Sequence, residues 1–384
     1  MRSVTALLAT ASAVVGALAS AFAQQPQDHK LTPTKVWVEP ASDFKTDEEQ
    51  DGRAKPVADD LSGIACMRRG AALGRCLVIN DEDRYAQFAD IGDRQLRPAG
   101  TIELVQRDGE AIPSGRAPVN VSCTGGERAF ADLDGEAVAY AAPYFYVIGS
   151  HGCSRNKKRF RASTFVTARF RVDESGTPVN PATGAPPAAS ASVVQATYRV
   201  ADALVATPNL KPFFTTDLNE ADGLNIEGLV VLNGVLFAGL RGPAKGGAAV
   251  VEIGGVDELF APGSGPLSHA GRLWPIGLKA GQGIRDMAAL DDGRVLILAG
   301  PGQEKADPYE IRVADPAAQW TSRRVGTLDL GPLGPVINAA KVKPEGLMVL
   351  GQEGDIVRVL ILSDGLPNGG AREYELRLGD GAAR

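Results

Sequence analysis

The chain has 384 residues, with 46 acidic and 40 basic side chains, a net charge of −6 and a charged fraction of 22%. This composition excludes a disordered acidic chain, and the acidic balance argues against a nucleic-acid partner, which would need a basic surface. Three His leave little material for a His-rich metal site, whereas 45 Gly and 25 Pro predict many turns.

The N-terminus has the pattern of a secretory signal peptide. Arg2 precedes an apolar run at 4–18, and Ala21-Phe22-Ala23 provides a small-x-small cleavage site. We therefore predict a signal peptide at 1–23, an N-terminal extension at 24–55 and a periplasmic or secreted protein. No later segment has the uninterrupted apolar length of a transmembrane helix, so no membrane span is expected.

The four cysteines agree with export, because an even number suits disulfides in an oxidising compartment. Cys66 and Cys76 flank a Gly-containing loop between two apolar runs, and they would face each other across a hairpin. Cys123 and Cys153 would then form the second pair. Four cysteines allow three pairings, so this pairing is a preference. A metal site is disfavoured because no CxxC or Cys/His spacing occurs.

From residue 56 onward, short apolar runs of strand length alternate with turn signals, which predicts one all-β domain over 56–384. Asn233-Gly234 lies between two such runs and is the strongest hairpin signal. A segment rich in Pro, Ala and Ser, at about 176–192, departs from this pattern. We interpret it as an insertion within the domain, because similar motifs occur on both sides of it.

Five segments share one shape: a polar residue, then a small or acidic one, then an apolar strand. Their key positions are Ser62, Glu136, Glu227, Arg285 and Glu345, with spacings of 74, 91, 58 and 60 residues. Repeats of this size, each followed by a strand hairpin, predict a β-propeller of about five to seven blades.

In a propeller blade the inner strand lines the channel and the next strand returns antiparallel, so residues can be paired by index. With Leu232 opposite Val235, Glu227 falls opposite Leu240 and close to Arg241. The same count brings polar residues of every blade to one end of the channel. This predicted polar ring consists of Ser62, Asp81, Glu136, His151, Glu227, Arg241, Arg285, Asp286 and Glu345.

Buried carboxylates beside Arg and His are the usual material of ligand sites. Arg241 and Arg285 suit a phosphate or a carboxylate, so we predict that the ring binds a small anionic ligand. The candidate catalytic residues for its hydrolysis are Glu136, Glu227 and His151, as acids or bases. The candidate ligand contacts are Arg241, Arg285, Asp286, Glu345, Ser62 and Asp81.

Two alternatives stay open. In the first, Glu136, Glu227 and Glu345 hold Ca²⁺, the candidate cofactor, in a metal-assisted phosphoesterase. In the second, the protein is a non-enzymatic interaction protein, and the ring satisfies its own charges by salt bridges such as Glu227–Arg241. The sequence leaves open whether the protein is an enzyme, because it contains no G-x-S-x-G elbow, no H-E-x-x-H motif and no P-loop.

Five short segments at these strands carry a family resemblance. They are Asp60-Leu61-Ser62-Gly63-Ile64, Asn225-Ile226-Glu227-Gly228-Leu229, Gly239-Leu240-Arg241-Gly242-Pro243, Gly283-Ile284-Arg285-Asp286 and Pro344-Glu345-Gly346-Leu347. Through them the chain resembles the bacterial domain-of-unknown-function family 3616 over roughly 56–376. That resemblance implies a propeller-like β fold and supplies no established activity. The Glu-Gly-Leu segments are also similar, more faintly, to the phytase-like esterase group, which implies phosphoesters as substrates.

Overall fold

The structure is a computed structural model that describes most of the chain after residue 28. The described residues are 29–45, 58–70, 72–81, 83–106, 113–119, 121–123, 132–154, 158–188, 192–303, 307–333 and 338–379. The signal peptide predicted at 1–23 lies outside them, as do residues 24–28 and 46–55 of the predicted extension.

The described strands form five sheets, and each sheet is one blade. Two short strands come first in the chain, β1 (Lys30–Leu31) and β2 (Lys35–Val36). Blade one contains β3 (Leu61–Arg69), β4 (Ala72–Asn80), β5 (Tyr85–Gly92) and β6 (Gln95–Glu103). Blade two contains β7 (Gly135–Ala141), β8 (Tyr144–Gly149), β9 (Thr167–Arg171) and β10 (Val194–Thr197).

The remaining three blades follow in chain order. Blade three contains β11 (Asn225–Leu232), β12 (Val235–Gly242), β13 (Ala249–Gly255) and β14 (Arg272–Pro275). Blade four contains β15 (Gln282–Ala289), β16 (Val295–Pro301), β17 (Glu310–Asp315) and β18 (Thr321–Leu328). Blade five contains β19 (Lys343–Glu353), β20 (Ile356–Asp364) and β21 (Arg372–Arg377).

The inner strands β3, β7, β11, β15 and β19 contact one another in sequence, and β19 also contacts β3. The five blades therefore close into a ring around a channel, which confirms the predicted all-β propeller and sets its blade number at five. Strand β2 pairs antiparallel with β21 in blade five, and β1 pairs parallel with β18 in blade four. The described strands of the predicted extension thus belong to the last two blades.

The described connections include three short α-helices, α1 (Arg199–Ala206), α2 (Leu218–Ala221) and α3 (Val256–Leu259). Helices α1 and α2 join blades two and three, and α3 follows β13 within blade three. Within the described part of the chain, no helix has the length and apolar character needed to cross a membrane.

The core lies between the blades, where the inner strands are apolar on both faces. Val138, Leu229 and Leu347 are each at most 2% exposed, and they occupy corresponding places in three inner strands. Continuous apolar runs are typical of strands that are buried on both sides, which explains the strand-length runs in the sequence. The core therefore holds the five inner strands in place around the channel.

Both predicted disulfides are present. Cys66 on β3 and Cys76 on β4 occupy directly paired positions, and Cys123 is joined to Cys153. The Pro-, Ala- and Ser-rich segment lies between β9 and β10 of blade two, where its described part, 176–188, forms turns without a named strand.

Candidate functional site

A β-bulge occurs at the same place in all five inner strands, and it holds the key position of each sequence repeat. In blade three, Ile226 pairs with Leu240 and Gly228 pairs with Gly239, so Glu227 has no opposite residue. The other four bulged residues are Ser62, Glu136, Arg285 and Glu345. Because a bulge re-aims its side chain, the five bulges place five polar side chains at one end of the channel, here called the polar end.

The bulges correct the pairing that the sequence predicted. Index counting placed Glu227 opposite Leu240, whereas Leu240 pairs with Ile226. The same displacement occurs in the other blades, because each bulge inserts one residue that counting ignores. The predicted neighbourhood of Glu227 and Arg241 is nevertheless present.

Glycine follows the bulge in blades one, three and five, and the packing explains this. A Cβ on Gly228 would lie 2.9 Å from Met287 of the next blade and 3.2 Å from the Gly239 backbone. Such distances leave no room for a side chain without a shift of the neighbours. The Glu-Gly-Leu motif therefore combines a polar residue on the bulge, a close approach between strands and a core side chain.

An ion-pair network joins the bulges of blades three, four and five. Glu227 Oε1 lies 2.6 Å from Arg241 Nη1, and Glu227 Oε2 lies 2.9 Å from Arg285 Nε. The Arg285–Glu227 contact is an ion pair without a directed hydrogen bond. Arg285 Nη2 also donates to Glu345 Oε1, and Arg241 Nε donates to the carbonyl of Gly302 at 3.1 Å. All four charged residues are at most 6% exposed.

The two carboxylates change the acidity of the central arginine. Burial alone would lower the pKa of Arg285, but the nearby carboxylates of Glu227 and Glu345 reverse this and raise it. Arg285 therefore stays charged, and two of its nitrogens already contact carboxylate oxygens.

Asp286 follows the bulge of blade four and links two blades. Its two oxygens accept hydrogen bonds from the backbone N–H groups of Met287 and Leu347, each at 2.7 Å. Burial raises the pKa of Asp286 well above its ordinary value, and the two N–H donors act in the opposite direction. Asp286 has no exposed surface and positions β19 against β15, which does not favour the ligand contact that the sequence predicted.

Glu136 occupies the bulge of blade two and differs from the other ring acids. Within the described residues, its carboxyl has no identified hydrogen-bond or ion-pair partner, and the side chain is 7% exposed. Burial raises its pKa well above the ordinary value, and the carboxyl groups of Glu227 and Asp134 raise it further. Burial therefore disfavours the charged form of the Glu136 carboxyl.

A small polar cavity lies beside Glu136, between blades two and three. Its volume is about 30 Å³, and its polar lining includes Asp134, Glu136, Asp217 and Asn225. This volume is enough for one water molecule. Asn225 Oδ1 is buried there and has no hydrogen-bond partner among the described residues. The cavity thus places a polar space next to the acid.

Blade one contributes Ser62 and Asp81 to the polar end. Ser62 is buried, and its hydroxyl donates to the carbonyl of Asp60 at 3.2 Å. This hydrogen bond is local, because Asp60 is only two residues away in sequence. Burial raises the pKa of Asp81 well above the ordinary value, and the carboxyl groups of Asp134 and Glu345 raise it further. Asp81 is therefore a second acid whose charge is disfavoured.

His151 is close to the ring in sequence but has no exposed surface. Its Nδ1 lies 2.8 Å from the carbonyl of Gly149, so this nitrogen carries the hydrogen, and its ring packs edge-on against Phe165. Burial lowers the pKa of His151 to about 4. The side chain is therefore a neutral, buried imidazole, which does not favour the catalytic role that the sequence suggested.

The structure adds polar residues that the sequence interpretation missed. Asp60, Asp134 and Lys343 each stand two residues before a bulge, a regular spacing that was a usable signal. Lys343 forms an ion pair with Asp364 at 2.9 Å. Tyr309 immediately precedes β17, where no local pattern marks it. Burial raises its pKa to about 12, and the nearby Arg285 opposes that shift.

The ring could act on a ligand through one protonatable acid beside fixed carboxylates. Glu227 and Glu345 are held by arginines, whereas Glu136 faces a cavity whose described lining includes no Lys or Arg side chain. Environments that separate the protonation states of neighbouring acids are typical of acid–base sites. Among the described residues, no group of three or more His, Cys, Asp or Glu side chains is placed to hold a metal ion.

Fold and site together define a five-bladed β-propeller with a charged ring at one end of its channel. Residues 123–374, more than half of the chain, match the family model described as a protein of unknown function, DUF3616. The chain therefore belongs to this family, as the sequence segments predicted. A search of curated proteins found no significant match.

Several solved structures are similar in fold. A protein from Lactobacillus plantarum is 12% identical, with coverage of 79% of this chain and 64% of that one and a TM-score of 0.31. An exo-1,5-alpha-L-arabinanase from a bovine ruminal metagenomic library is 9% identical, with coverage of 83% and 93% and a TM-score of 0.34. An extracellular domain from Bacteroides thetaiotaomicron is 9% identical, with coverage of 82% and 27% and a TM-score of 0.29. The chain thus spans less than two thirds of the first and third of these proteins.

Proposed function

We propose that the protein binds a small, uncharged, hydroxyl-rich molecule at the polar end of the channel and hydrolyses it by acid–base catalysis. The observation that carries this proposal is the contrast between Glu136 and Glu227. Glu136 has a raised pKa and faces a cavity, whereas Glu227 lies within 3 Å of two guanidinium groups. A neighbouring acid and carboxylate are what general acid–base hydrolysis requires.

The charges favour an uncharged ligand over an anion. Arg241 and Arg285 are already balanced by Glu227 and Glu345, and burial disfavours the charged form of Glu136. A phosphate or carboxylate would have to displace a buried carboxylate from its arginine, which is costly. The anionic ligand that the sequence suggested is therefore the second candidate, and it still rests on the two arginines.

The proposed reaction uses the residues in fixed roles. Glu136 gives its proton to the leaving-group oxygen as the carbon–oxygen bond breaks. Glu227 accepts a proton from the attacking water, whose oxygen forms the new bond to that carbon. Arg285 and Arg241 stabilise the Glu227 carboxylate before the reaction and remain charged throughout.

The test compares chromogenic substrates on the wild-type protein and on Glu136→Gln. Gln keeps the size of the side chain and removes its ability to carry and release a proton. We expect release of 4-nitrophenol from a panel of 4-nitrophenyl glycosides, with kcat reduced by about 10²–10⁴ in Glu136→Gln, the range for loss of a general acid or base. The matched control is Glu252→Gln on β13, whose carboxylate accepts from Trp274 outside the ring and which should retain activity.

The other hypotheses predict different results in the same assay. Turnover of 4-nitrophenyl phosphate that Arg241→Ala abolishes would favour the anionic ligand, and loss of that turnover in EDTA would favour the Ca²⁺ alternative. If every substrate is inert and no sugar or phosphate raises the melting temperature, the interaction-protein alternative gains and our proposal is wrong. A ligand at 100 times its Kd should stabilise the fold by about 2.7 kcal/mol, which makes binding easy to detect.

We further propose that the protein acts in the periplasm or after secretion. The signal-peptide pattern and the two disulfides support this, because disulfides persist in oxidising compartments. The test is N-terminal sequencing of the protein recovered from the periplasm or medium, with Gln24 as the expected first residue. A cytoplasmic protein that retains its first 23 residues would contradict the proposal.

A further inference from the structure

The channel contains a second cavity on the hairpin side of the five bulges, with a volume of about 270 Å³. Three consecutive residues of every inner strand line it, and in each strand they begin two residues after the bulge. These segments are 64–66, 138–140, 229–231, 287–289 and 347–349. The same wall is thus repeated five times around the channel. We call this space the channel cavity.

The side chains of these segments turn away from the channel. Leu229 packs in a core with residues of blade two, whereas its neighbour Val230 packs in a core with residues of blade four. Leu347 and Met348 divide in the same way between the cores on either side of blade five. Successive side chains of a strand point to opposite faces, and here a neighbouring blade covers each face. What three consecutive residues share toward the channel is therefore the backbone of the strand.

This backbone belongs to an edge strand in every blade. Each inner strand pairs with the second strand of its sheet on one side, and none of the described strands pairs with its other side. An edge strand carries a row of N–H and C=O groups that the sheet does not use. In an antiparallel pair, alternate residues direct these groups toward the partner strand, and the residues between them direct the groups away. Each three-residue segment therefore presents at least one N–H and one C=O to the channel cavity.

The charges of the lining are paired with each other. Among the described residues, Arg68 and Asp291 are the charged members of the lining. Arg68 Nη1 donates to both carboxylate oxygens of Asp291 at 3.0 Å, and Arg68 Nη2 donates to the Val349 carbonyl at 3.1 Å. This contact joins blade one to blade four past blade five. An ionic ligand would have to compete with this ion pair, whereas an uncharged ligand would leave it intact.

A wall that offers N–H donors and C=O acceptors together suits a ligand whose own groups both donate and accept. Hydroxyl groups do both and carry no charge. They can take the place of water at such a wall because they reproduce its hydrogen bonds. The volume is close to the lower end for small-molecule sites, about 300 Å³, so one small molecule fits. We propose that the channel cavity binds one small polyol, at a site separate from Glu136 and independent of the hydrolysis proposed above.

Backbone amides give a direct test, with erythritol as the probe. In protein labelled with ¹⁵N-valine, titration with millimolar erythritol should shift the amide resonances of Val138, Val231 and Val349 in a saturable way, because these residues line the cavity from three blades. Val250 on β13 and Val325 on β18 lie in the third and fourth strands of their blades and should not move. If no lining amide shifts at tens of millimolar erythritol, water is the only occupant and the proposal is wrong.

Two analogues of the same chain length test the chemistry of the ligand. Butane-1,4-diol keeps the four carbons of erythritol and half of its hydroxyl groups. A site that bonds hydroxyl groups rejects an analogue that lacks them, so the diol should bind at least tenfold more weakly. Succinate carries two negative charges and should leave the lining amides unshifted. Equally tight binding of the diol, or binding of succinate in the cavity, would contradict the proposal.

Variants at the hairpin end locate the binding independently. Ala142 and Ala289 are exposed alanines of the lining, in blades two and four. Ala142→Trp or Ala289→Trp places a large side chain at the mouth and should weaken erythritol binding at least tenfold. The matched control is Ala72→Trp on β4, an exposed alanine of blade one outside the lining, which should bind as the wild type does.

Circular dichroism identifies variants that fail to fold, and the valine titration of the wild-type protein stands without them. Unchanged erythritol binding in both folded mouth variants would place the polyol elsewhere, including at the polar end, and would overturn the proposal.

Discussion

The two halves of the polar ring differ in how their charges are balanced, although the same β-bulge presents both. In blades three to five, Glu227 and Glu345 share Arg285, and Arg241 completes the network. In blade two, Glu136 faces a polar cavity, and its pKa is raised by burial. One backbone device therefore supports a fixed electrostatic structure in one half and a protonatable acid in the other. Experiments on the proposed acid belong on the second half, whereas experiments on stability belong on the first, where two arginines hold Glu227, the proposed base.

The largest expected effect comes from removing the shared cation. Arg285→Met keeps an unbranched side chain but leaves Glu227 and Glu345 with an uncompensated buried charge. We expect a loss of about 3–5 kcal/mol in the free energy of unfolding, measured by urea denaturation. A loss below 1 kcal/mol would contradict the view that the ion pairs of Arg285 make one half of the ring a fixed, stabilising network.

The second effect is a pH dependence that originates in blade two. The pKa of buried His151 is about 4 instead of 6.5, so the unfolded chain binds a proton that the folded chain does not. Stability should therefore be fully present above pH 6.5 and fall toward pH 4, by about 3 kcal/mol at most. His151 has a φ of +56°, which Asn tolerates, so His151→Asn is the suitable variant. Its denaturation midpoints should vary less between pH 4 and 6.5 than those of the wild type, and an equal slope would contradict the assignment.

The third effect has the opposite sign and distinguishes Glu136 from the paired acids. Its raised pKa means that the folded state holds a proton longer than the unfolded state, so stability falls as pH rises above the ordinary carboxyl pKa. Gln cannot ionise, so Glu136→Gln should be more stable than the wild type at pH 8, by on the order of 1 kcal/mol, and should differ less at pH 4. Thermal melts at the two pH values measure this difference. A variant that is less stable than the wild type at pH 8 would show that the ionised Glu136 carboxylate stabilises the folded state.

The smallest effect is a control on the surface. Arg294 pairs with Asp292 at 2.7 Å, and this hydrogen bond lowers the pKa of Asp292 to about 2. Both side chains are partly exposed to solvent, so Arg294→Ala should cost less than about 1 kcal/mol. The cost should shrink further in 1 M salt. A cost comparable to that of Arg285→Met would contradict the expectation that a buried ion pair matters more to stability than an exposed one.

Local patterns were sufficient to predict the architecture. Short apolar runs, the Asn233-Gly234 turn and the repeated strand starts predicted a propeller, because strands and tight turns depend on neighbouring residues. The pairing of Cys66 with Cys76 followed for the same reason, since a hairpin fixes which residues oppose each other. Five members of the polar ring were predicted because each stands near the start of an inner strand: Ser62, Glu136, Glu227, Arg285 and Glu345.

The site geometry could not be predicted in the same way. Antiparallel counting assumes an unbroken ladder, and one inserted residue at each bulge changes the partner of Glu227. Tyr309 reaches the ring from the residue before β17, which no repeat position marks. The balance of charge depends on which carboxylate each arginine contacts, and Arg285 contacts acids on two other blades, 58 and 60 residues away in sequence.

The strand β2 determines when the propeller can be completed. Lys35 Nζ donates to Glu373 at 2.9 Å, a hydrogen bond between residues 338 positions apart in sequence. During synthesis, the segment that forms the outer edge of blade five is made first and its partner strand is made last. The contact between β2 and β21 joins residues that are very far apart in sequence, and contacts of this kind form slowly. The nascent chain thus carries β2 without its partner while the intervening residues are made, and β2 can pair only when β21 has been made.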